Sequence, residues 1–334
     1  MQSPRSPSIS PLRDETEYQI DLEEINKHED RQKDKKKKKK KTATPEPARE
    51  RSPERSPVRE KTPDNYFSSD YQQEQEEEVK DENKIVYRIK ELDINTLRPR
   101  SIADDGVKYA MIGKPGTGKS SIIKSYMYSK RHIFPVGLFC NGTEDSTQFF
   151  SRHVPDLFIH PLSTGLVSQF IRRQKLAKQY LDNPWSLFIT DDCMDDPRIF
   201  NKPEFKYIFK NGRHLKMSYI MSLQYSIDVK PDIRGCIDGC FILRETNEKF
   251  RRNLYENYAS VIPTYNEFKT IMDSLTGDYT AIFIDNRSTS NNVEDCVYYY
   301  KADLNRIDPN FKFGCKEYHE FSESRYNKNY ILPI

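Results

Sequence analysis

Residues Met111 to Ser121, MIGKPGTGKSS, place three glycines and two lysines within eleven residues of a chain that has only 12 glycines in 334. Gly113, Gly118, Lys119 and Ser120 fit the spacing G-x-x-x-x-G-K-[ST]. The preceding Lys108–Ile112 is a short apolar run that predicts a buried strand. The following SSIIKSYMYSK has no Gly or Pro, and its Ile122, Ile123, Tyr126 and Met127 predict one face of a helix. Strand, glycine loop and helix in that order are what a phosphate-cradling loop requires, and few folds supply them.

Glycine is needed because such a loop curls its backbone N–H groups around phosphate oxygens, with torsions that a Cβ opposes. The helix N-terminus adds partial positive charge. ATP with Mg²⁺ is the expected ligand, surrounded by Gly113, Lys114, Pro115, Gly116, Thr117, Gly118, Lys119, Ser120 and Ser121. Lys119 is expected on the β- and γ-phosphates and the Ser120 hydroxyl on Mg²⁺, whereas Lys114 lies in the loop without being the expected phosphate ligand.

The first 95 residues read as a disordered charged arm. RSPSISP, TPEPARERSPERSPVREKTP, the lysine run Lys35–Lys41 and the acidic EQEEEVKDE hold too few aliphatic residues to offset the entropy of ordering. A transient helix is expected around Tyr18–Lys27. The lysine run suits DNA phosphates, an import receptor or plain solvation. The chain's +3 net charge is a near cancellation of 54 basic and 51 acidic residues and so says little about partners. No apolar run approaches a membrane span and no signal-peptide core is visible at the N-terminus, so a soluble intracellular protein is expected. Six scattered cysteines without zinc-ribbon or C-x-x-C spacing read as reduced structural thiols.

From Thr96 to Asp285 apolar runs alternate with helical patterns. Strands are predicted at Lys108–Ile112, Val136–Cys140, Leu157–His160, Leu187–Thr190, Tyr219–Leu223, Gly239–Leu243 and Tyr279–Ile284. Helices are predicted near Lys119–Met127, Gly165–Leu181, Pro203–His214, Glu248–Tyr258 and Thr264–Leu275. That alternation predicts a three-layer α/β fold with a mainly parallel central sheet over residues 96–285, followed by a C-terminal extension, 286–334. VYYYKADL is the one plausible extra strand there, and Tyr298–Tyr300 read as edge-strand packing rather than a base-stacking surface.

SLFITDDC, Ser186 to Cys193, is an apolar strand that ends in two carboxylates about 70 residues after Lys119. Asp191 is assigned to the Mg²⁺ shell and Asp192 to the attacking water, although Asp is one methylene shorter than the Glu many ATPases carry there. Gln224 ends the next strand, YIMSLQYS, predicted between the two motif strands, where it would sense the γ-phosphate. Arg213 and Arg234 are the candidates for the arginine that such enzymes often receive from a neighbouring subunit. Lys206, Lys210 and Arg213 form a basic stripe opposite Phe205, Ile208 and Phe209.

Taken in order, MIGKPGTGKS, LFITDDC, NGRHLKMSYIMSLQY and PDIRGCIDGCFILRE resemble the poxvirus-type DNA-packaging ATPases of nucleocytoplasmic large DNA viruses. These belong to the FtsK–HerA class of P-loop motors, and the resemblance covers residues 107–285. It implies a P-loop NTPase core and a homo-oligomeric ring that moves double-stranded viral DNA into a capsid. It places the protein in the host-cell cytoplasm or the virion, with capsid or membrane-vertex proteins as further partners. It also implies that Lys119 and Ser120 bind ATP–Mg²⁺, that Asp191 and Asp192 are the acidic pair, and that Gln224 is the sensor. The competing readings are a small-molecule kinase, a GTPase, whose N-K-x-D motif is absent from NKPEF at Asn201, and a nucleotide-gated assembly adaptor.

Overall fold

The computed structural model describes residues 18–19, 87–193, 197–226 and 229–325. The expected charged arm lies outside these residues except at 18–19 and 87–95, as does most of the expected helix at Tyr18–Lys27. Of that helix, only Tyr18–Gln19 is described, and it forms a strand.

The strands are β1 (Tyr18–Gln19), β2 (Arg88–Glu91), β3 (Val107–Ile112), β4 (Val136–Asn141), β5 (Ile159–His160), β6 (Ser186–Asp191), β7 (Met217–Leu223), β8 (Gly239–Ile242), β9 (Ala281–Asp285) and β10 (Val297–Tyr300). They form one sheet in the order β1-β2-β10-β9-β8-β3-β7-β6-β4-β5. From β8 through β5 every pairing is parallel. β9 then runs antiparallel to both β8 and β10, and β2 lies parallel to β10.

The helices are α1 (Lys119–Lys130), α2 (Glu144–Ser151), α3 (Thr164–Tyr180), α4 (Pro203–Asn211), α5 (Pro231–Arg234), α6 (Glu248–Tyr258), α7 (Tyr265–Leu275), α8 (Val293–Cys296) and α9 (Lys316–Arg325). β3, β6 and β7 are buried at every residue, so both faces of the sheet are covered and the architecture has three layers. This is the expected mainly parallel P-loop NTPase fold.

Local chemistry sets the helix starts. Ser163 caps α3 by accepting from Leu166 N, and Thr264 with Glu267 forms a capping box on α7. In α4, Phe205, Ile208 and Phe209 face the core as their spacing predicts.

Beyond β9 the sheet departs from the sequence expectation in one strand and meets it in another. β2, RIKE, enters the sheet ahead of the expected boundary at residue 96, and Leu92 and Leu97 behind it join the core. A four-residue, mostly charged strand has no apolar run to announce it; one side chain in four, Ile89, turns inward. β10 forms where VYYYKADL suggested a strand, and Tyr299 and Tyr300 are buried in it.

Candidate nucleotide site

The strand order puts β7 between β3 and β6, so the loops after all three open at one end of the sheet. Residues 113–118 follow β3 there. Gly116 and Gly118 have φ of 75° and 110°, a region that other residues enter only with strain. At Gly113 a Cβ would stand 2.7 Å from Thr117 Oγ1 and 2.8 Å from Leu243 Cβ, so the loop also depends on glycine for space. Gly118 caps α1, whose first residue is Lys119.

Lys119 is buried, and its ammonium donates to the carbonyls of Gly113 at 2.5 Å and Lys114 at 3.1 Å, arching over the loop. Burial lowers its pKa; Asp191 and Asp192 oppose that shift by favouring the charged form. A cation at a helix N-terminus also faces the unfavourable end of the dipole, so this lysine sits where an anion is the natural complement.

Asp191 ends β6, only 4% exposed, with Oδ2 accepting from Ser146 Oγ at 3.1 Å. Asp192 follows with φ 53°, and Gln224, one residue past β7, donates Nε2–H to its Oδ1. Gly142 makes room for this turn, because a Cβ there would lie 2.0 Å from the Asp192 carbonyl oxygen. The structure therefore brings Lys119, the acidic pair and Gln224 together.

Lys114 points elsewhere. Its ammonium pairs with Glu245 at 2.7 Å, and the same carboxylate oxygen accepts from Asn247 N at 2.7 Å, tying the loop to the chain just past β8. Sequence reading missed Glu245 and Ser146. Glu245 stands in the ILRE block, where only a known partner for Lys114 would have singled it out. Ser146 lies on α2, whose sequence EDSTQFFS carries too short an apolar pattern to announce a helix.

Of the two arginine candidates, Arg213 lies at the other end of the sheet. Arg213 precedes β7 and pairs through Nη2 with Asp238, a fully buried carboxylate just ahead of β8. The same carboxylate has Lys108 at 3.8 Å and Arg287 at 3.9 Å. Arg234 ends α5 and donates to the Val229 carbonyl at 2.7 Å. Arg213 does not share an end of the sheet with its own chain's Lys119, which leaves it without a role in the site of the same chain. Lys206 of the basic stripe pairs with Asp232 at 3.7 Å.

All six cysteines are free thiols, four of them buried, and among the described residues no group of His, Cys, Asp and Glu could hold a metal by itself. Among those residues no helix is long and apolar enough to cross a membrane.

No family model matches the chain. It is 47% identical over 246 residues to uncharacterized protein 088R of Invertebrate iridescent virus 3, covering 72% of this chain and 94% of that protein. It is 45% identical over 251 residues to uncharacterized protein 075L of Invertebrate iridescent virus 6, covering 73% and 96%. The chain belongs to this family of large DNA virus proteins. A more distant relative, uncharacterized protein L437 of Acanthamoeba polyphaga mimivirus, shares 29% identity over 255 residues, covering 73% of this chain and 86% of that protein.

Among solved structures, the family member resembles the genome packaging NTPase B204 from Sulfolobus turreted icosahedral virus 2 in complex with ATP-gammaS. The TM-score is 0.44 at 15% identity, over 59% of this chain and 97% of that one. A second likeness is to EssC (ATPases 2 and 3) from Geobacillus thermodenitrificans, at TM-score 0.42 and 13% identity over 73% and 45%.

Proposed function

We propose that this family member is an ATPase that translocates double-stranded viral DNA into the capsid during genome packaging. One observation carries the enzymatic half: Lys119, the adjacent Asp191 and Asp192, and Gln224, from three separate stretches of sequence, converge at the C-terminal ends of β3, β6 and β7. The packaging half is supported by the order of the four sequence blocks and by relatives encoded by large DNA viruses.

The residues fit ATP and Mg²⁺. Two left-handed glycines shape a cradle of backbone N–H groups, and the Ser120 hydroxyl with the Asp191 carboxylate supplies hard oxygen donors of the kind Mg²⁺ prefers. Mg²⁺ held by these oxygens would supply positive charge against the charge that develops on the phosphates. The chain's own side chains do the rest. Lys119 shifts its ammonium from loop carbonyls to the β- and γ-phosphates. Asp192 Oδ1 takes the proton of the attacking water or orients it, and Gln224 holds that carboxylate in place through its Nε2–H. The hydrogen bond between Gln224 and Asp192 links the sensing position to the catalytic one. In a homo-oligomeric ring, Arg213 or Arg234 would act on the neighbouring copy's nucleotide rather than its own. Capsid or membrane-vertex proteins would anchor that ring, in the host cytoplasm or on the virion.

The deciding experiment is steady-state ATP hydrolysis with and without long double-stranded DNA, at low and moderate salt. Stimulation by DNA that fades as salt rises is expected, because phosphate contacts release counterions. Turnover indifferent to DNA would refute the motor, and ATP binding without turnover would favour a nucleotide-gated adaptor. Removing residues 1–83 should leave basal turnover intact.

A further inference from the structure

The turn Gly277–Thr280, between α7 and β9, rests against the phosphate loop. Because β9 runs antiparallel to β8, the turn leading into β9 returns to the end of the sheet where β3 and β8 finish. Tyr279 Cβ and its carbonyl oxygen lie 3.3 and 3.5 Å from the point a Cβ on Gly118 would occupy. Thr280 N donates to Gly277 O at 3.0 Å, and the Lys301 ammonium pairs with Asp278, fastening the turn to the chain beyond β10.

Two features of this turn bear on its use. Asp278 and Tyr279 are consecutive left-handed residues, at φ 49° and 60°. Asp tolerates that region, but a tyrosine there is strained, and such strain persists only where the surroundings enforce it. Tyr279 is also 62% exposed, and among the described residues no ring or cation stacks on it. Of the other exposed aromatics, Tyr225 leans on Phe250 and Phe321 on Phe158, whereas Tyr180, 71% exposed at the end of α3, has no ring or cation on it either among those residues; Tyr279 differs from Tyr180 in standing against the phosphate loop.

The position gives the ring a use. Asp191, Asp192 and Gln224 all lie on the β7 side of β3, so the γ-phosphate end of a nucleotide in the cradle faces that way. The nucleoside end then faces the opposite side, over β8 and β9, where Tyr279 stands. An aromatic ring held rigidly beside the first residues of α1 offers the base a π-face.

We propose that Tyr279 is the platform on which the purine base of the bound nucleotide stacks. This rests on the nucleotide site proposed above. Recognition is through the face of the base rather than its hydrogen-bonding edge, so Tyr279 contributes affinity for a nucleoside without selecting strongly between purines.

The test compares two probes, a non-hydrolysable ATP analogue and inorganic tripolyphosphate, each with Mg²⁺, by equilibrium binding to the full chain. Tyr279→Asn removes the ring and suits the left-handed backbone; Tyr279→Gly is a second ring-less variant at home in the same torsions. Either should weaken the analogue by about 5- to 150-fold and leave tripolyphosphate binding unchanged, with Tyr279→Phe matching the wild type. Unchanged analogue binding, or equal losses for both probes in both ring-less variants, would overturn the platform while leaving the nucleotide site standing. A wild-type chain that binds neither probe would overturn both readings.

Discussion

The two ends of α1 each carry a buried lysine, and the pair shows how one structure uses the same chemistry for opposite purposes. Lys130, in the last turn, donates to the Asn95 carbonyl at 2.7 Å and sits at the helix end that favours a cation. Lys119, at the first residue, sits at the end that disfavours one and is held by loop carbonyls and a nearby acidic pair. The ends of the sheet repeat the contrast. At the end where strands begin, Lys108, Arg213 and Arg287 gather around the fully buried carboxylate of Asp238 and are consumed by it. At the end where strands finish, glycines, a misplaced lysine and two carboxylates leave an arrangement that a phosphate chain and a divalent cation would complete. The first arrangement ties β3, β8 and the segment ahead of β7 together, and the second, with Lys119 held on carbonyls, is the basis of the nucleotide site proposed above.

The largest expected effect breaks the open end. Asp192→Asn should keep nucleotide binding and lower turnover by about 10²–10⁴, whereas Lys119→Ala should abolish binding. Paired binding and hydrolysis assays on the two variants separate these roles, and equal turnover by wild type and Asp192→Asn would remove Asp192 from the chemistry. The closed end should answer differently. Asp238→Ala strands three cations and should cost about 3–5 kcal/mol of stability in denaturant unfolding, with nucleotide affinity of the folded fraction unchanged. A large loss of affinity at intact stability would mean that the two ends are coupled.

The smallest effect sharpens the lysine comparison. Burial lowers the Lys130 pKa to about 8 from the ordinary 10.5, so below pH 8 both folded and unfolded chains are protonated and the cost of burying the charge is constant. Between about pH 8 and 10.5 the unfolded chain binds the extra proton, so this residue's contribution to stability rises with pH. Lys130→Met should flatten that part of a melting-temperature profile, and an unaltered slope would show that the Lys130 charge is not buried in solution.

Much of this contrast was legible before any coordinates. The glycine loop, the acidic strand end and Gln224 carry local signatures, because backbone torsion and strand-end placement are written in short stretches of sequence. The predicted strands and helices of the P-loop core appear with ends shifted by a few residues. What could not be read was which end of the sheet a polar residue occupies when it sits between elements. GRHLK reads equally well as a catalytic approach or as the start of a strand, and only the pairing of Arg213 with Asp238, 25 positions on, decides its place. Glu245 was hidden for the same reason, as its partner Lys114 lies 131 positions away. β2 escaped because an edge strand with one inward side chain carries no periodic signal.

The parallel pairing of β2 with β10 has a practical consequence for anyone handling the protein. β10 is antiparallel to β9, and β9 to β8, so β2 points the same way as β3 and begins at the pole away from the phosphate cradle. A purification tag or fluorophore joined just ahead of Arg88 is therefore tethered at the far pole from Lys119, and immobilising the chain through it leaves the cradle facing the solution.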